Sequence, residues 1–174
     1  MESRLKPRIA YRNLPQLFLK ARECLMAHFR PILNHYGLTD QQWRILRSLD
    51  EHDQLEPREI CSLCQIHSAS MAGVLARMEA LALIQRSRVA GDQRRVVVRL
   101  APKGDRLVRE MAPLIDLQYQ RIGDAIGGDI FDDLFHSLEA FTAAQHPSVG
   151  HIELPSTMPA AAEPRAPEHA PGDA

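Results

Sequence analysis

The feature that most constrains the fold is a change in the spacing of apolar residues along the chain. Through residue 83 they recur mostly every three or four positions, which is typical of amphipathic helices. At 84–89 and 96–100 the spacing falls to two, which predicts two β-strands joined by a loop at 90–94. Helical spacing returns after Pro102. The chain is therefore expected to be mainly α, with a two-stranded β-hairpin between its fourth and fifth helices.

Start and stop signals define six helices. Pro15 suits the first turn of the first helix, and Thr39 with Gln42 forms a capping box that opens the second. Pro102 opens the fifth helix, and Gly127-Gly128 separates it from the sixth. The predicted helices run over about 15–36, 40–49, 57–64, 68–83, 102–126 and 129–145.

Apolar stripes indicate which helix faces are buried. On the third helix, Leu63 is expected to face inward, and on the fourth an apolar stripe extends from Met71 through Leu81 and Ala82. The opposite face of the fourth helix carries small residues that would let a partner approach closely: Ala69, Gly73, Ala76 and Ala80. The sixth helix is expected to bury a row of large residues: Phe131, Leu134, Phe135, Leu138 and Phe141.

The formal net charge of −1 hides an uneven distribution of charge. Residues 58–109 carry ten Lys or Arg against four Asp or Glu, whereas residues 110–146 carry one against seven. Of the 21 basic residues 18 are Arg, whose forked guanidinium suits bidentate contacts with phosphate and guanine better than Lys does. The basic block coincides with the third helix, the fourth helix and the hairpin. This part of the chain is therefore expected to meet nucleic acid.

A short helix, a tight turn, a second helix and a basic hairpin together predict a winged helix-turn-helix over about 38–101. In such a module the second helix enters the major groove, while the hairpin reaches the backbone or the neighbouring minor groove. The residues expected to contact double-stranded DNA come from the turn, the fourth helix and the hairpin: Gln65, His67, Ser68, Ser70, Met71, Arg77, Arg88, Gln93, Arg94 and Arg95. The alternative is that the helix pair is ordinary packing and that the arginines form a solvated face.

Other functional classes find little support in the sequence. It contains no nucleophile elbow, P-loop, dinucleotide-binding glycine motif or His-Glu-x-x-His, so neither enzymatic activity nor a cofactor is expected. No membrane span, signal peptide or disulfide framework is indicated, and the chain is expected to be cytoplasmic. Cys61, Cys64 and His67 have the spacing of half a zinc site, but cysteines that pack the core of the module are the favoured interpretation.

The two ends of the chain differ in composition from the winged module. Residues 147–174 hold 6 of the 12 prolines and almost no large apolar side chain, which predicts a disordered tail. Residues 1–146 are then expected to form one domain, in which dimerisation helices at about 12–36 and 103–145 flank the module. Helices of about 20 residues are roughly 30 Å long, more than a small module can cover. Their apolar stripes are therefore expected to pair in a twofold dimer.

Several motifs resemble the MarR family of transcriptional regulators. The run GLTDQQWRIL at 37–46 is similar to the entry to that family's second helix, and 91–104 is similar to its wing and the start of its fifth helix. Leu14-Pro15, Ala21-Arg22-Glu23 and Phe29-Arg30-Pro31 resemble the subgroup of homoprotocatechuate-operon regulators. The resemblance spans about residues 12–145.

The resemblance implies a homodimeric repressor of an aromatic-compound catabolic operon. Such a repressor binds a palindromic operator and is released by a small aromatic carboxylic acid, of the hydroxyphenylacetate or pyridine carboxylate class. Its ligand pocket would lie between the first two helices and the winged module. There Arg22 and Arg44 are candidates to pair with a carboxylate, and Phe29 and Trp43 to stack on an aromatic ring. Met26 is a further candidate for the pocket lining.

The resemblance also bears on the wing. It implies that Asp92 pairs with Arg94 and so holds the loop. The sequence departs from the family pattern at Gly91, where the family often has Arg, and at Ala101-Pro102, where it usually has Thr. Gln93, Arg95 and Arg88 are the candidates to replace the missing arginine at the minor groove.

A redox-sensing regulator is the alternative function, because some MarR-type regulators sense peroxides through a cysteine of the first helix. Here that residue would be Cys24. Its neighbours Leu25 and Met26 predict an apolar setting, which would raise the pKa of the thiol.

Overall fold

The fold is known from a computed structural model that describes residues 9–89, 91–144, 150 and 152–153; for Gln93 it describes the backbone alone. The chain divides into two compact units, one that ends at Phe131 and one that begins at Asp132. The tail predicted at 147–174 lies outside the described residues, apart from Gly150, Ile152 and Glu153.

The predicted fold class is confirmed, since the described residues are mostly helical and carry a small antiparallel sheet. The elements follow one another as α1 (Leu14–His35), α2 (Asp40–His52), β1 (Gln54–Leu55), α3 (Pro57–Cys64), α4 (Ser68–Ala80), β2 (Ile84–Val89), β3 (Asp92–Leu100), α5 (Pro102–Ile126) and α6 (Gly128–Ala143).

Local capping explains where the helices of the winged module begin. The Thr39 hydroxyl accepts the backbone N–H of Gln42 at 3.2 Å, and the Gln42 side chain accepts the backbone N–H of Thr39 at 2.9 Å, so the predicted capping box of α2 is confirmed. A second box, which the sequence analysis missed, joins Glu56 and Glu59 at the start of α3. Two helices that meet the sheet are thus fixed at their first residues.

The wing differs from the prediction in two respects. The sheet has three strands in the order β1-β3-β2, because Gln54 and Leu55 pair with Arg99 and Val98 of β3. Strand β3 also begins at Asp92 rather than at residue 96, so the predicted loop at 90–94 is too long. Gly91 stands at the turn with a φ of +88°, a conformation that costs glycine little but strains other residues.

One core joins the first five helices to the sheet. Each of these five helices and the sheet contributes fully buried side chains to it, among them Leu33, Leu46, Ile60, Met78, Val98 and Met111. Gly104 allows α5 to approach closely, since a Cβ there would lie 2.0 Å from the carbonyl oxygen of Leu83. The core thereby packs α4 and the wing together with α2.

Three predictions of burial were wrong. Leu63 is half exposed, because α3 turns Ile60 and Cys64 toward the core and Leu63 away from it. Helix α4 ends at Ala80 rather than at Leu83, which leaves Leu81 outside the apolar stripe and exposed. Helix α6 buries none of its residues in the single chain, although its apolar row is present.

Within the part of the chain that is described, no helix has both the length and the apolarity needed to cross a membrane.

Candidate functional site

The turn between α3 and α4 is built around Gln65. This residue caps α3 in the left-handed conformation with a φ of 50°, and its side chain donates to the carbonyl of Ser62 at 2.7 Å. Ile66 follows as a buried anchor, and His67 is the N-cap of α4. The turn therefore leaves Gln65 and His67 on the surface while it fixes the direction of α4.

Helix α4 presents a face of small and polar residues to solvent. Ser68 and Ser70 in its first turn and Arg77 in its last turn are exposed, together with the predicted small residues Ala69, Gly73, Ala76 and Ala80. Met71 is an error in the predicted DNA-contacting set, because its side chain is only 3% exposed in the core. It shares the buried stripe with Val74 and Leu75, so the helical spacing itself could have excluded it.

The wing arginines are exposed, but two of them already hold carboxylates. Arg95 donates from Nε and Nη2 to Glu56 Oε1 at 2.8 and 2.5 Å. Arg86 forms a similar pair with Glu79. Arg88 lies on the exposed side of β2. The side chain of Gln93 lies outside the description.

The tip of the wing is tied together at Asp92. Its carboxylate accepts the backbone N–H of Arg94 at 3.0 Å. The contact between Asp92 and Arg94 that the resemblance implied is thus present as a bond to the backbone of Arg94. Holding the backbone in this way leaves the exposed Arg94 side chain outside that bond.

The pairs of Arg95 with Glu56 and of Arg86 with Glu79 favour the ionised form of both carboxylates. The hydrogen bond from Arg95 lowers the pKa of Glu56, and the hydrogen bond from Arg86 lowers the pKa of Glu79. The partner arginines have pKa values raised by the same bonds. Two ionised carboxylates therefore hold Arg95 and Arg86 in place on the wing.

A second polar group connects α1 to the helix-turn-helix. Arg22 of α1 donates to the carboxylate of Asp40, and Asp40 lies 3.7 Å from Arg44 Nε, one turn further along α2. Arg44 in turn donates to the backbone carbonyl of Cys64, the last residue of α3. Both arginines predicted to bind a ligand carboxylate, Arg22 and Arg44, thus already contact groups of the protein itself. Arg44 also fixes the end of α3.

An aromatic cluster joins α1 to α5. The rings of Phe29 and Tyr119 lie 4.7 Å apart, and that of Phe131 lies 6.2 Å from Tyr119. Arg47 of α2 is bound to Glu51 at 2.9 Å and also interacts with Tyr119, and both contacts raise the pKa of its guanidinium. Trp43 is buried, and Met26 is half-buried against the same core.

Arg47 and Tyr119 are site candidates that the sequence analysis missed. They come from α2 and α5, and no local motif connects such distant positions. In the sequence, Arg47 lies four positions before Glu51, which indicates an ordinary solvent-exposed ion pair along one helix. Only the packing of α5 against α1 and α2 brings this cation and the two aromatic rings of Phe29 and Tyr119 together.

Two open cavities accompany these groups. One of about 430 Å³ lies between the start of α2 and α4 and is lined by residues that include Asp40, Arg44 and Arg77. The other, of about 590 Å³, lies where α5 meets α6 and is lined by Tyr119, Phe131, Asp124 and three glycines. Both have the size of sites that hold small organic molecules.

The cysteines occupy three different settings. Cys64 is buried as predicted, with Sγ 3.4 Å from Ser48 Oγ, and Cys61 is half-buried. Cys24 is exposed, so the predicted apolar setting was wrong: α1 turns Leu25 and Met26 toward the core and Cys24 away from it. Among the described residues no group of His, Cys, Asp and Glu side chains is arranged to hold a metal ion.

Comparison with known proteins agrees with this architecture. The family model described as "MarR family" matches residues 36–95. The transcriptional regulator FarR of Neisseria gonorrhoeae is 39% identical over 109 residues, which are 63% of this chain and 75% of FarR. The homoprotocatechuate degradative operon repressor of Escherichia coli is 34% identical over 131 residues, which are 75% of this chain and 88% of the repressor.

The chain belongs to the MarR family.

A solved structure supports the assignment of this MarR-family regulator at the level of the fold. The crystal structure of NadR in complex with 4-hydroxyphenylacetate superposes with a TM-score of 0.67 at 34% identity, and covers 77% of this chain and 97% of NadR. The matching relatives are transcriptional regulators rather than enzymes. The model match at 36–95 covers α2 to the start of β3, which is most of the winged helix-turn-helix.

Proposed function

We propose that this MarR-family regulator is a homodimeric repressor of an aromatic-compound catabolic operon. It binds a palindromic operator through α4 and the wing, and a small aromatic carboxylic acid releases it. The observation that carries the proposal is the likeness to NadR, whose solved structure holds 4-hydroxyphenylacetate, at 34% identity over nearly all of NadR. The 34% identity to the homoprotocatechuate operon repressor points to the same class of controlled genes.

Dimerisation is supported by the apolar surface that a single chain leaves open. Large apolar side chains stay at least 40% exposed on three helices: Leu14 and Leu17 on α1, Leu114 and Leu117 on α5, and Ile130 and Leu134 on α6. The two members of each pair lie three or four positions apart and so adjoin on one helix face, and soluble monomers rarely leave large apolar patches exposed. A second copy would cover them, and its twofold symmetry would match half-sites one DNA turn apart.

The DNA-contacting set is proposed without Met71: Gln65, His67, Ser68, Ser70, Arg77, Arg88, Gln93, Arg94 and Arg95. The small exposed face of α4 supports its entry into the major groove, since short side chains let the helix approach the bases. The exposed arginines of β2 and β3 support contacts with the phosphates beside it.

The aromatic acid is proposed to bind beside the cluster of Phe29 and Tyr119. Phe29 would pack against its ring, and Arg47 or Arg22 would pair with its carboxylate. Met26 and Trp43, which pack in or against the core, are proposed to line the same site. Because Arg44 holds the carbonyl of Cys64, we assign it to the connection between α2 and α3 rather than to the carboxylate.

Thermal unfolding with 4-hydroxyphenylacetate, nicotinate and 4-ethylphenol tests this function. A ligand present at 100 times its Kd stabilises the folded state by about 2.7 kcal/mol, so one of the two acids should raise the Tm. The phenol lacks the carboxylate and should not. The acid that binds should also release the protein from a duplex of its own promoter region, as measured by fluorescence anisotropy. Equal effects of acid and phenol would contradict the proposed carboxylate site.

A further inference from the structure

The carboxylate of Glu56 lies between two arginines that come from different parts of the winged module. Its Oε1 accepts both Nε and Nη2 of Arg95 in β3, at 2.8 and 2.5 Å. Its Oε2 lies 3.1 Å from Nε of Arg58, in the first turn of α3. One carboxylate thus joins a guanidinium of the wing to a guanidinium of the first helix of the helix-turn-helix.

Glu56 itself is held firmly. It is the N-cap of α3, its backbone N–H donates to Glu59 Oε2 at 2.6 Å, and its backbone carbonyl accepts the N–H of Glu59 at 2.9 Å. The preceding residue, Leu55, is buried and pairs with β3. The side chain of Glu56 is only 13% exposed. Glu56 is therefore a rigid anchor that can orient the longer side chains of Arg58 and Arg95.

The two arginines keep most of their donors for a ligand. A guanidinium has five N–H donors; Arg95 uses two of them on Glu56, and Arg58 forms an ion pair with the same carboxylate. Their side chains are 54% and 82% exposed. The two guanidinium groups lie on the two oxygens of one carboxylate, so both are near enough to reach a single phosphate group.

We propose that Glu56 is a positioning residue that orients Arg58 and Arg95 as a clamp for one backbone phosphate of double-stranded DNA. In a helix-turn-helix the first helix crosses the DNA backbone, and in a winged module the hairpin reaches the backbone beside it. Glu56 joins these two elements at that place. The inference rests on the proposed DNA binding, and it assigns to Glu56 and Arg58 a role that the sequence analysis gave to neither.

Positioning and charge repulsion make opposite predictions for the removal of Glu56. A carboxylate that merely opposes DNA would raise the affinity when it is neutralised. A carboxylate that orients two arginines would lower the affinity, because disordered guanidinium groups lose more entropy on binding phosphate. The second outcome is favoured because Glu56 is only 13% exposed and each of its carboxylate oxygens already faces a guanidinium group.

Fluorescence anisotropy with two DNA duplexes tests the clamp. Each duplex has about 30 base pairs, which is long enough to hold two half-sites one turn apart. One duplex comes from the promoter region of the chain's own gene, and the other has the same base composition in shuffled order. We expect Glu56→Gln to weaken binding to both duplexes by about tenfold, as for the loss of one charge-assisted contact. Between about 50 and 200 mM salt, the association constant of Glu56→Gln should depend less steeply on salt. The magnitude of the slope of log K against log salt concentration should decrease by up to about 0.9, the value for one phosphate contact.

Glu59→Gln is the matched control. It removes one negative charge from the same helical turn, and Gln at this position can still complete the capping box. It should bind DNA as tightly as the unchanged protein or slightly more tightly. In an Arg58→Ala/Arg95→Ala background, the effect of Glu56→Gln should shrink to less than about twofold, because coupled residues are not additive.

Higher affinity of Glu56→Gln, or an effect equal to that of Glu59→Gln, would overturn the clamp. If Glu56→Gln lowers the Tm strongly, Arg95→Lys decides instead, since it keeps the charge and leaves Glu56 in place. A lysine lacks the fork that Glu56 orients, so the same loss of affinity is expected; full affinity would overturn the proposal. Equal binding of the two duplexes by the unchanged protein would reject the proposed operator recognition, whereas the clamp would still be tested on the shuffled duplex.

Discussion

At the residue scale, Gly104 shows how one missing side chain sets the distance between two elements. A Cβ at this position would lie 2.0 Å from the carbonyl oxygen of Leu83 and 3.4 Å from a methyl carbon of Leu46. That carbonyl also accepts the backbone N–H of Ala101 at 3.1 Å, so it has little freedom to move. The close approach of α5 to the start of the wing therefore depends on glycine.

Gly104→Ala should destabilise the fold by about 3 kcal/mol, because the new methyl group meets fixed backbone rather than a mobile side chain. Urea unfolding followed by circular dichroism measures the effect. The control is Gly73→Ala on the exposed face of α4, where the nearest atom to the new Cβ is Arg77 Nη1 at 3.5 Å. There alanine should stabilise the helix by roughly 0.5–1 kcal/mol. Equal stability of the two variants would show that the contact with Leu83 is not rigid.

At the element scale, the sequence predicts helices well because each is long enough to show a period and has local signals at its ends. Thr39, Pro102 and Gly127 marked boundaries that lie within a residue or two of the observed ones. Strand β1 could not be predicted in this way, since two residues contain no period. It exists because Gln54 and Leu55 meet the edge of β3, a contact between distant parts of the chain.

The same reasoning explains the candidate sites. The turn, α4 and the wing are contiguous in sequence, so nearly all of the proposed DNA-contacting residues could be listed from local patterns. Met71 is the exception, because it lies close to the turn but on the buried apolar stripe of α4. Arg47, Tyr119 and the grouping of Arg58 with Arg95 around Glu56 depend on tertiary packing, and no pattern along the chain contains them.

The capping box of α2 offers a test at the element scale. Thr39→Ala removes the hydroxyl that accepts the backbone N–H of Gln42, and should cost about 1 kcal/mol of stability. For a chain of this size that is a decrease in Tm of roughly 2–4 °C. Thr142→Ala is the control, because the bonds that Thr142 makes to described residues go to carbonyls of its own exposed last turn, and it should change stability by less than about 0.5 kcal/mol. A Tm of Thr39→Ala equal to that of the control would mean that Gln42 caps the helix alone.

At the scale of the whole molecule, the near-neutral charge is an average over unlike parts. The basic excess lies in residues 58–109 with the proposed DNA-contacting surface, and the acidic excess lies in residues 110–146 with the helices proposed for dimerisation. Basic residues thereby outnumber acidic ones by ten to four in the segment that would meet phosphate. We propose that residues 1–146 form one functional domain and that 147–174 is a tail that binding does not require.

Truncation after His146 tests that division. The tail carries one basic and four acidic residues, and its proline-rich composition provides few apolar groups for packing. The truncated protein should keep its Tm, its mass in solution and its affinity for the promoter duplex. The comparison is with the full chain at the same salt concentration, because affinities for DNA depend on salt. Loss of the dimer or a change in affinity would assign the tail a role in assembly or binding.

The dimer itself is tested on α6, where Leu134 is 43% exposed in the single chain. A lysine at an exposed position hardly affects the folding of one chain, whereas a lysine buried between two copies loses its hydration without gaining a partner. Leu134→Lys should therefore shift the protein from dimer to monomer in light scattering coupled to gel filtration, with little loss of helix by circular dichroism. His136→Lys introduces the same side chain half a turn away on a polar position of the same helix, and should remain dimeric. Monomeric His136→Lys, or dimeric Leu134→Lys, would place the interface on another face.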